Sequence, residues 1–204
     1  MIRLSDHIAA AGGWLSLEAF MQLALHHPQE GYYSSSIENI GQRGDFSTTP
    51  TLSPILAKAI VAHWKEACSR CGRRLPLLEI GAGSGALAVK ILERLGFWNR
   101  LNTDYVIVES SPRLREFQHL LLGGRAKIYS TMEKALKHCG GKAFIFSNEL
   151  VDAFPARVFE YTEQDWKEVG LVVKNGAVRE ELRPVRQQPL FSHMLEYGCL
   201  LYTS

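Results

Sequence analysis

Long apolar runs are missing from this 204-residue chain, and so is any strong imbalance of charge. No stretch approaches the roughly 20 apolar residues that a bilayer-crossing helix needs, and the first residues lack the basic-then-apolar pattern of a secretory leader. Asp6 and Glu18 come too early for the Arg-rich, acid-poor pattern of a mitochondrial presequence, so the cytoplasm is the expected compartment. A formal net charge of +2 gives no case for nucleic acid or an anionic membrane as partner. Arg70, Arg73 and Arg74 flank an expected helix end, where cations are favoured anyway. Cysteine is scarce at four residues. Cys68 and Cys71 have metal-ligand spacing and His138-Cys139 could extend it, but they sit at a helix end and no second such pair exists. Reduced thiols, with no metal, are therefore expected. Internal repeats and low-complexity tracts are absent too. What remains, 46% hydrophobic and 22% charged, is long enough to build one sizeable core.

The most informative segment is Glu79-Ile80-Gly81-Ala82-Gly83-Ser84-Gly85, which follows an apolar run and precedes a helix-periodic one. It reads as strand, tight turn, helix. Glycine takes positive φ at no steric cost and lets backbone approach a ligand closely. The helix that follows opens with free N–H groups suited to an anionic group. Two cofactors fit these glycines. Gly81-x-Gly83-x-x-Ala86 satisfies a dinucleotide fingerprint. Glu79-x-Gly81-x-Gly83-x-Gly85 is the pattern associated with S-adenosyl-L-methionine. An acid beside the loop favours the second, because that ligand brings an ammonium and a sulfonium where a dinucleotide brings a pyrophosphate. Glu109, at the end of the next apolar run, suits ribose hydroxyls, which both ligands carry.

Residues 1–74 read as helical and irregular, with a helix behind Ser16 and another over 54–71 that Ser53 would cap, Pro54 would open and Gly72 would close. A polar, glycine-punctuated loop lies between them, from Gly31-Tyr32-Tyr33 to Pro50, and its length suggests a lid or binding loop. From 75 the pattern alternates: strand 75–80, helix 84–95, strand 104–109, a helix from Pro112 to Gly123, a strand near 126–129, a helix near 131–138, and strand 143–146 running into Asn148-Glu149. Alternation of this kind predicts a parallel, doubly wound α/β sheet. Beyond 155 the character changes to strand-like runs with Asn175-Gly176 as a hairpin signal. The expected domains are an extension over 1–74 and a Rossmann-like cofactor-binding domain over 75–204. Glu79, Glu109 and Asn148-Glu149 all fall at strand ends, with Asp152 just beyond, and ligands collect at such ends in open α/β sheets.

Several motifs together resemble one family. Phe20-Met21-x-x-Ala24-Leu25, Pro28-x-x-Gly31-Tyr32-Tyr33 and Gly41-x-x-Gly44-Asp45-Phe46-x-Thr48-x-Pro50 are similar to the N-terminal region of MidA-type methyltransferases. These are bacterial and mitochondrial relatives of the arginine methyltransferase that assists assembly of respiratory complex I. Val108-Glu109-x-Ser111-Pro112-x-Leu114 with Gln118, and Asn148-Glu149-x-x-Asp152-Ala153-x-Pro155, resemble two later motifs of the family, and the likeness runs from about residue 15 to about 170. Ala82 stands where the family usually has proline, Leu150 and Val151 where aromatics are common, and Ser47 where an apolar residue is usual. The family's chain is considerably longer, and the segment Gly198 to Ser204 does not look like it, so the expectation is a C-terminally shortened member whose last sheet strands are incomplete.

The resemblance implies a class I methyltransferase fold and methyl transfer from S-adenosyl-L-methionine to an arginine side chain of a partner protein. In that picture Gly81, Ala82, Gly83 and Gly85 pack on the cofactor, Glu79 orients its amino-acid end, Glu109 binds the ribose hydroxyls, Ser110 is a further cofactor contact, and Asn148 and Glu149 face the methyl group. A guanidinium stays protonated, so carboxylates must hold it and accept the released proton. Glu149, Asp152 and Asp45 are the candidates. Plain helix capping competes for Asn148 and Asp152, and aromatic core packing for Tyr32 and Tyr33. Two other classes compete for the whole chain: a non-catalytic assembly protein on the same fold, and a nicotinamide oxidoreductase. None of the seven histidines lies in the glycine-loop or Asn-Glu motifs, which disfavours the latter.

Overall fold

The computed structural model describes residues 3–35, 54–162 and 165–185. The chain divides into two compact units, residues 31–153 and residues 1–30 with 154–204. The second unit begins with α1 (Leu4–Ala10), β1 (Leu15–Ser16) and α2 (Leu17–His26). Ser16 caps α2 as its sequence position predicts, its Oγ accepting the N–H of Ala19 at 3.1 Å.

The 31–153 unit opens with α3 (Tyr32–Ser35) and α4 (Pro54–Arg70). Proline occupies the first turn of α4, where its missing N–H costs nothing, and Gly72 follows the end at φ +62°; Ser53, the expected cap, lies outside the described residues. Ala57, Val61 and Trp64 recur at helical spacing and are buried. The Trp64 indole donates to the Leu75 carbonyl at 2.8 Å, and Cys68 Sγ accepts the Leu75 N–H at 3.3 Å, so α4 grips the chain just before the sheet starts.

The sheet alternates with helices as expected: β2 (Leu77–Ile80), α5 (Ala86–Arg94), α6 (Gly96–Leu101), β3 (Tyr105–Val108), α7 (Pro112–Leu122), β4 (Lys127–Tyr129), α8 (Met132–His138) and β5 (Phe144–Ser147). The strands are parallel in the order β4-β3-β2-β5, with Ile80 level with Val108 and Ser147. Alternation sorts their side chains. Leu77, Tyr105 and Ile107 face α4 and α5, while Leu78, Val106 and Val108 pack with Ala135 and Cys139. Each fully buried aliphatic side chain contributes about 1.5–3 kcal/mol.

After a 3₁₀ turn (Val151–Ala153), the chain forms β6 (Phe159–Thr162), β7 (Asp165–Lys174) and β8 (Ala177–Pro184). These strands do not extend the parallel sheet. Antiparallel pairing joins β7 to β6, to β8 and to β1, where Leu15 lies opposite Leu171 and Ser16 opposite Gly170. Asn175 and Gly176 both take positive φ, which the β7–β8 hairpin turn requires. Ile8, Leu15 and Leu171 form the core of this unit, with Leu17, Phe20 and Leu23 against it. The units thus divide at 30/31 and 153/154, whereas the sequence pointed to 74/75. Two contacts explain the difference. The buried stripe of α4 belongs to the core of the parallel sheet, and β1 is completed by β7.

Candidate functional site

The turn after β2 is built on three left-handed residues: Gly81, Gly83 and Gly85 have φ of +68°, +54° and +73°. The Gly81 N–H donates to the Val108 carbonyl and the Gly85 N–H to the Ala82 carbonyl, both at 2.8 Å, which ties the turn to β3 and closes it on itself. Ala82 packs against the core. Conformation is what calls for glycine here, since the atoms nearest an added Cβ lie on side chains rather than backbone. A Cβ on Gly81 would lie 2.6 Å from Leu150 Cδ1, and one on Gly85 would lie 3.3 Å from Leu121 Cδ2. Gly85 precedes α5 with no side-chain cap, so the first N–H groups of that helix are left for another acceptor.

Glu109 leaves β3 beside this turn and is 6% exposed. Its own N–H donates to the Tyr129 carbonyl at 2.9 Å. Oε1 accepts the Ser111 N–H at 3.0 Å, and Oε2 lies 3.5 Å from Gln118 Nε2, which also donates to the Gly83 carbonyl at 2.9 Å. Burial pushes the Glu109 carboxyl up, while hydrogen bonds from Ser111, Gln118 and Gly83 and the charge of Arg115 pull it back. Arg115 Nη1 binds the carbonyls of Glu109 and Ser110 at 2.9 and 2.7 Å, so the guanidinium braces the backbone. Ser110 itself is exposed.

Glu79 has a different setting from the one its motif position suggests. It is 2% exposed, with Oε2 receiving the Tyr105 hydroxyl at 2.6 Å. Burial lifts its carboxyl to about 7; the Tyr105 hydrogen bond opposes that lift and the Glu109 charge adds to it. No cation is among the groups acting on it.

The third strand end carries Asn148, half-buried, and Glu149, exposed. Glu149 has φ +47°, a left-handed conformation unusual outside glycine. Asp152 is exposed in the 3₁₀ turn, whose Ala153 N–H donates to the Leu150 carbonyl. Among the described residues, no side-chain hydrogen bond from Asn148 or Asp152 caps a following helix. Tyr33 stands near both acidic regions: burial raises its hydroxyl pKa, and the charges of Asp152 and Glu109 add to that, as does Tyr32. Its ring meets that of Tyr32 edge-on at 5.2 Å, and its carbonyl accepts the Ser111 hydroxyl at 3.3 Å. The structure therefore gathers Gly81, Ala82, Gly83, Gly85, Glu109 and Ser110 about one turn. Asp45 falls within residues 36–53, which lie outside the described residues. Among the described residues no group of three or more potential metal ligands converges.

Gln118 and Tyr105, to which the motifs gave no role, hydrogen-bond the carboxylates of Glu109 and Glu79. Gln118 had a signal in the sequence: it falls between Leu114 and Leu122 at spacing four, a polar residue on the buried stripe of a helix.

The chain moves outward from β2 to β3 and β4, then returns to place β5 on the other side of β2. Such a reversal opens a crevice beyond the carboxyl ends of the strands, and the glycine turn and Glu109 sit at its lip. This order, with that turn and that acid, is the arrangement of a class I methyltransferase fold. The family model whose description reads "Putative S-adenosyl-L-methionine-dependent methyltransferase" matches residues 55–200, and the chain belongs to this family. It is 26% identical over 199 residues to the mitochondrial protein arginine methyltransferase NDUFAF7 of Xenopus tropicalis, covering 84% of this chain and 45% of that one. The human protein of the same name is 24% identical over 200 residues, covering 83% and 44%. The chain thus spans somewhat under half the length of these curated relatives. Among solved structures, a native Burkholderia thailandensis protein superimposes with a TM-score of 0.73 at 28% identity, over 94% of this chain and 49% of that one. Another from the same organism, crystallised with S-adenosyl-homocysteine bound, gives 0.69 at 26% identity, over 94% and 51%. Of the two cofactors that the glycines admit, the family's is S-adenosyl-L-methionine.

Proposed function

We propose that this chain is an S-adenosyl-L-methionine-dependent methyltransferase that modifies an arginine side chain of a partner protein. The observation that carries the reading is the Glu109 carboxylate held against the left-handed glycine turn at the crevice of the sheet. The residues suit the cofactor. Two buried acids flank the turn, and the helix behind it has open N–H groups. Gly81, Ala82, Gly83 and Gly85 would receive it along the backbone, Glu109 and Ser110 at the ribose, and Asn148 near the methyl-bearing end. Glu79, buried against Tyr105, would act through the field it sets beneath the turn. When bound, the cofactor supplies a methyl group activated by its sulfonium. Transfer to a guanidinium nitrogen forms one N–C bond and breaks the S–C bond, and the nitrogen must shed a proton. Glu149 and Asp152, both solvent-facing, would hold the cationic side chain and accept that proton. The arginine acceptor follows the names of the curated relatives and the need for acids at this position.

Titration calorimetry with S-adenosyl-L-methionine, paired with a methyl-transfer assay on an arginine-containing protein, tests both halves. Micromolar binding is expected. Glu109→Ala should weaken it by about 1–3 kcal/mol, the cost of losing a charged hydrogen-bonding partner. Glu149→Ala should bind normally and fail to transfer. Affinity for NAD(H) in place of S-adenosyl-L-methionine would overturn the assignment.

A further inference from the structure

The stripe of α7 that faces the sheet runs Leu114, Gln118, Leu122, and Gln118 is 0% exposed. A buried amide is costly unless its polar atoms are bonded. Nε2 is well served: it donates to the Gly83 carbonyl at 2.9 Å and reaches Glu109 Oε2 at 3.5 Å. Oε1 has no partner among the described residues. Turning the amide over would not help, because it would press Oε1 against a carbonyl and a carboxylate with no proton between them. Two acceptors therefore fix the orientation, and the orphan oxygen is the consequence. Leucine would fill nearly the same volume without a polar atom to desolvate, so packing alone does not explain glutamine at this position.

We propose that Gln118 is a positioning residue that clasps the Glu109 carboxylate to the glycine turn at Gly83 and thereby sets cofactor affinity without touching the cofactor. This rests on Glu109 being the ribose-binding acid. The other groups around Glu109 do not duplicate the clasp. Ser111 serves Oε1, and Gly83 contributes a backbone hydrogen bond. Arg115 spends Nη1 on backbone carbonyls, and the remaining charged or titrating neighbours are Glu79 and Tyr33. Removing the Gln118 amide takes away a hydrogen bond that favours the charged carboxylate. The acid limb of cofactor binding should then move to higher pH.

The test is calorimetric titration of the full chain with S-adenosyl-homocysteine from pH 5 to pH 9, with a thermal melt of every variant. The variants are Gln118→Leu, Gln118→Glu, Glu109→Gln and the double variant Glu109→Gln/Gln118→Leu. Gln118→Leu takes a donor from the Gly83 carbonyl and so should melt somewhat below the wild type, but it should also bind about tenfold more weakly near neutral pH and show its acid limb displaced upward. Gln118→Glu, which sets a second carboxylate against Glu109, should lose more. The double variant should bind no worse than Glu109→Gln alone, since the clasp then has nothing to hold. Wild-type affinity and an unmoved pH profile in Gln118→Leu would make glutamine a mere core filler and overturn the proposal. So would a loss that is uniform with pH. A wild-type chain that binds no S-adenosyl-homocysteine at any pH would instead overturn the underlying reading of Glu109, and this inference with it.

Discussion

Glu79 is an acid that the fold disfavours in its charged form. Burial dominates, the neighbouring Glu109 charge adds to it, and the Tyr105 hydroxyl offsets only part, leaving the carboxyl near 7 against an ordinary 4.5. Between those values the folded chain keeps a proton that the unfolded chain has released. Stability therefore falls as pH rises through that window and stays at the lower level above it. At about 1.4 kcal/mol per unit, the change amounts to roughly 3 kcal/mol. Glu79→Gln keeps the shape and an oxygen for Tyr105 but cannot ionise. Urea unfolding at pH 5 and pH 8 without ligand should show the wild type losing about that much relative to the variant. Parallel losses in both proteins would mean that Glu79 does not titrate in this range. Glu109 is less exposed to this effect, because two backbone N–H groups and an amide stabilise its charge.

At the scale of elements, β7 depends on a glycine that no turn requires. The Trp14 indole lies flat where a Cβ on Gly170 would be, and the ring is pinned, its Nε1 donating to the Glu181 carbonyl at 3.3 Å and the Arg183 guanidinium lying 5.3 Å from its centroid. Gly170→Ala should cost about 1–3 kcal/mol through overpacking, read as a lower thermal midpoint and faster hydrogen exchange along β7. An unchanged midpoint would show that the indole can move aside. None of this is legible locally. A two-residue strand such as Leu15–Ser16 has no period to recognise, and its partner lies far along the chain. Elements whose ends carry their own chemistry were legible. Ser111, Pro112 and Gly123 bound α7 as cap, first-turn residue and left-handed terminator, and Asn175-Gly176 marked the β7–β8 turn. The site divides along the same line. The glycine turn and Glu109 could be found from spacing alone. The burial of Glu79 under Tyr105 could not, because it depends on which residues of β2 and β3 share a face once the register is set.

Over the whole molecule, a formal charge of +2 gives little field of its own, so any preference for a cationic ligand must come from where the acids lie. In the 31–153 unit, Glu79, Glu109, Glu149 and Asp152 fall at or just beyond the carboxyl ends of parallel strands. The first two are buried and the last two exposed, and salt distinguishes them: exposed charges are screened over about 10 Å at 0.1 M, buried ones much less. S-adenosyl-L-methionine and S-adenosyl-homocysteine differ by the sulfonium charge and a methyl group, and the ammonium they share cancels in the ratio of their affinities. If the buried acids set the preference, that ratio should fall at least a few-fold between pH 8 and pH 6 as Glu79 takes up its proton. It should change much less between 0.05 and 0.5 M salt, concentrations chosen about the screening range. Competition calorimetry at the four combinations of pH and salt separates the cases. A ratio indifferent to pH but steeply dependent on salt would transfer the preference to Glu149 and Asp152, and would leave the buried pair no part in discriminating the sulfonium.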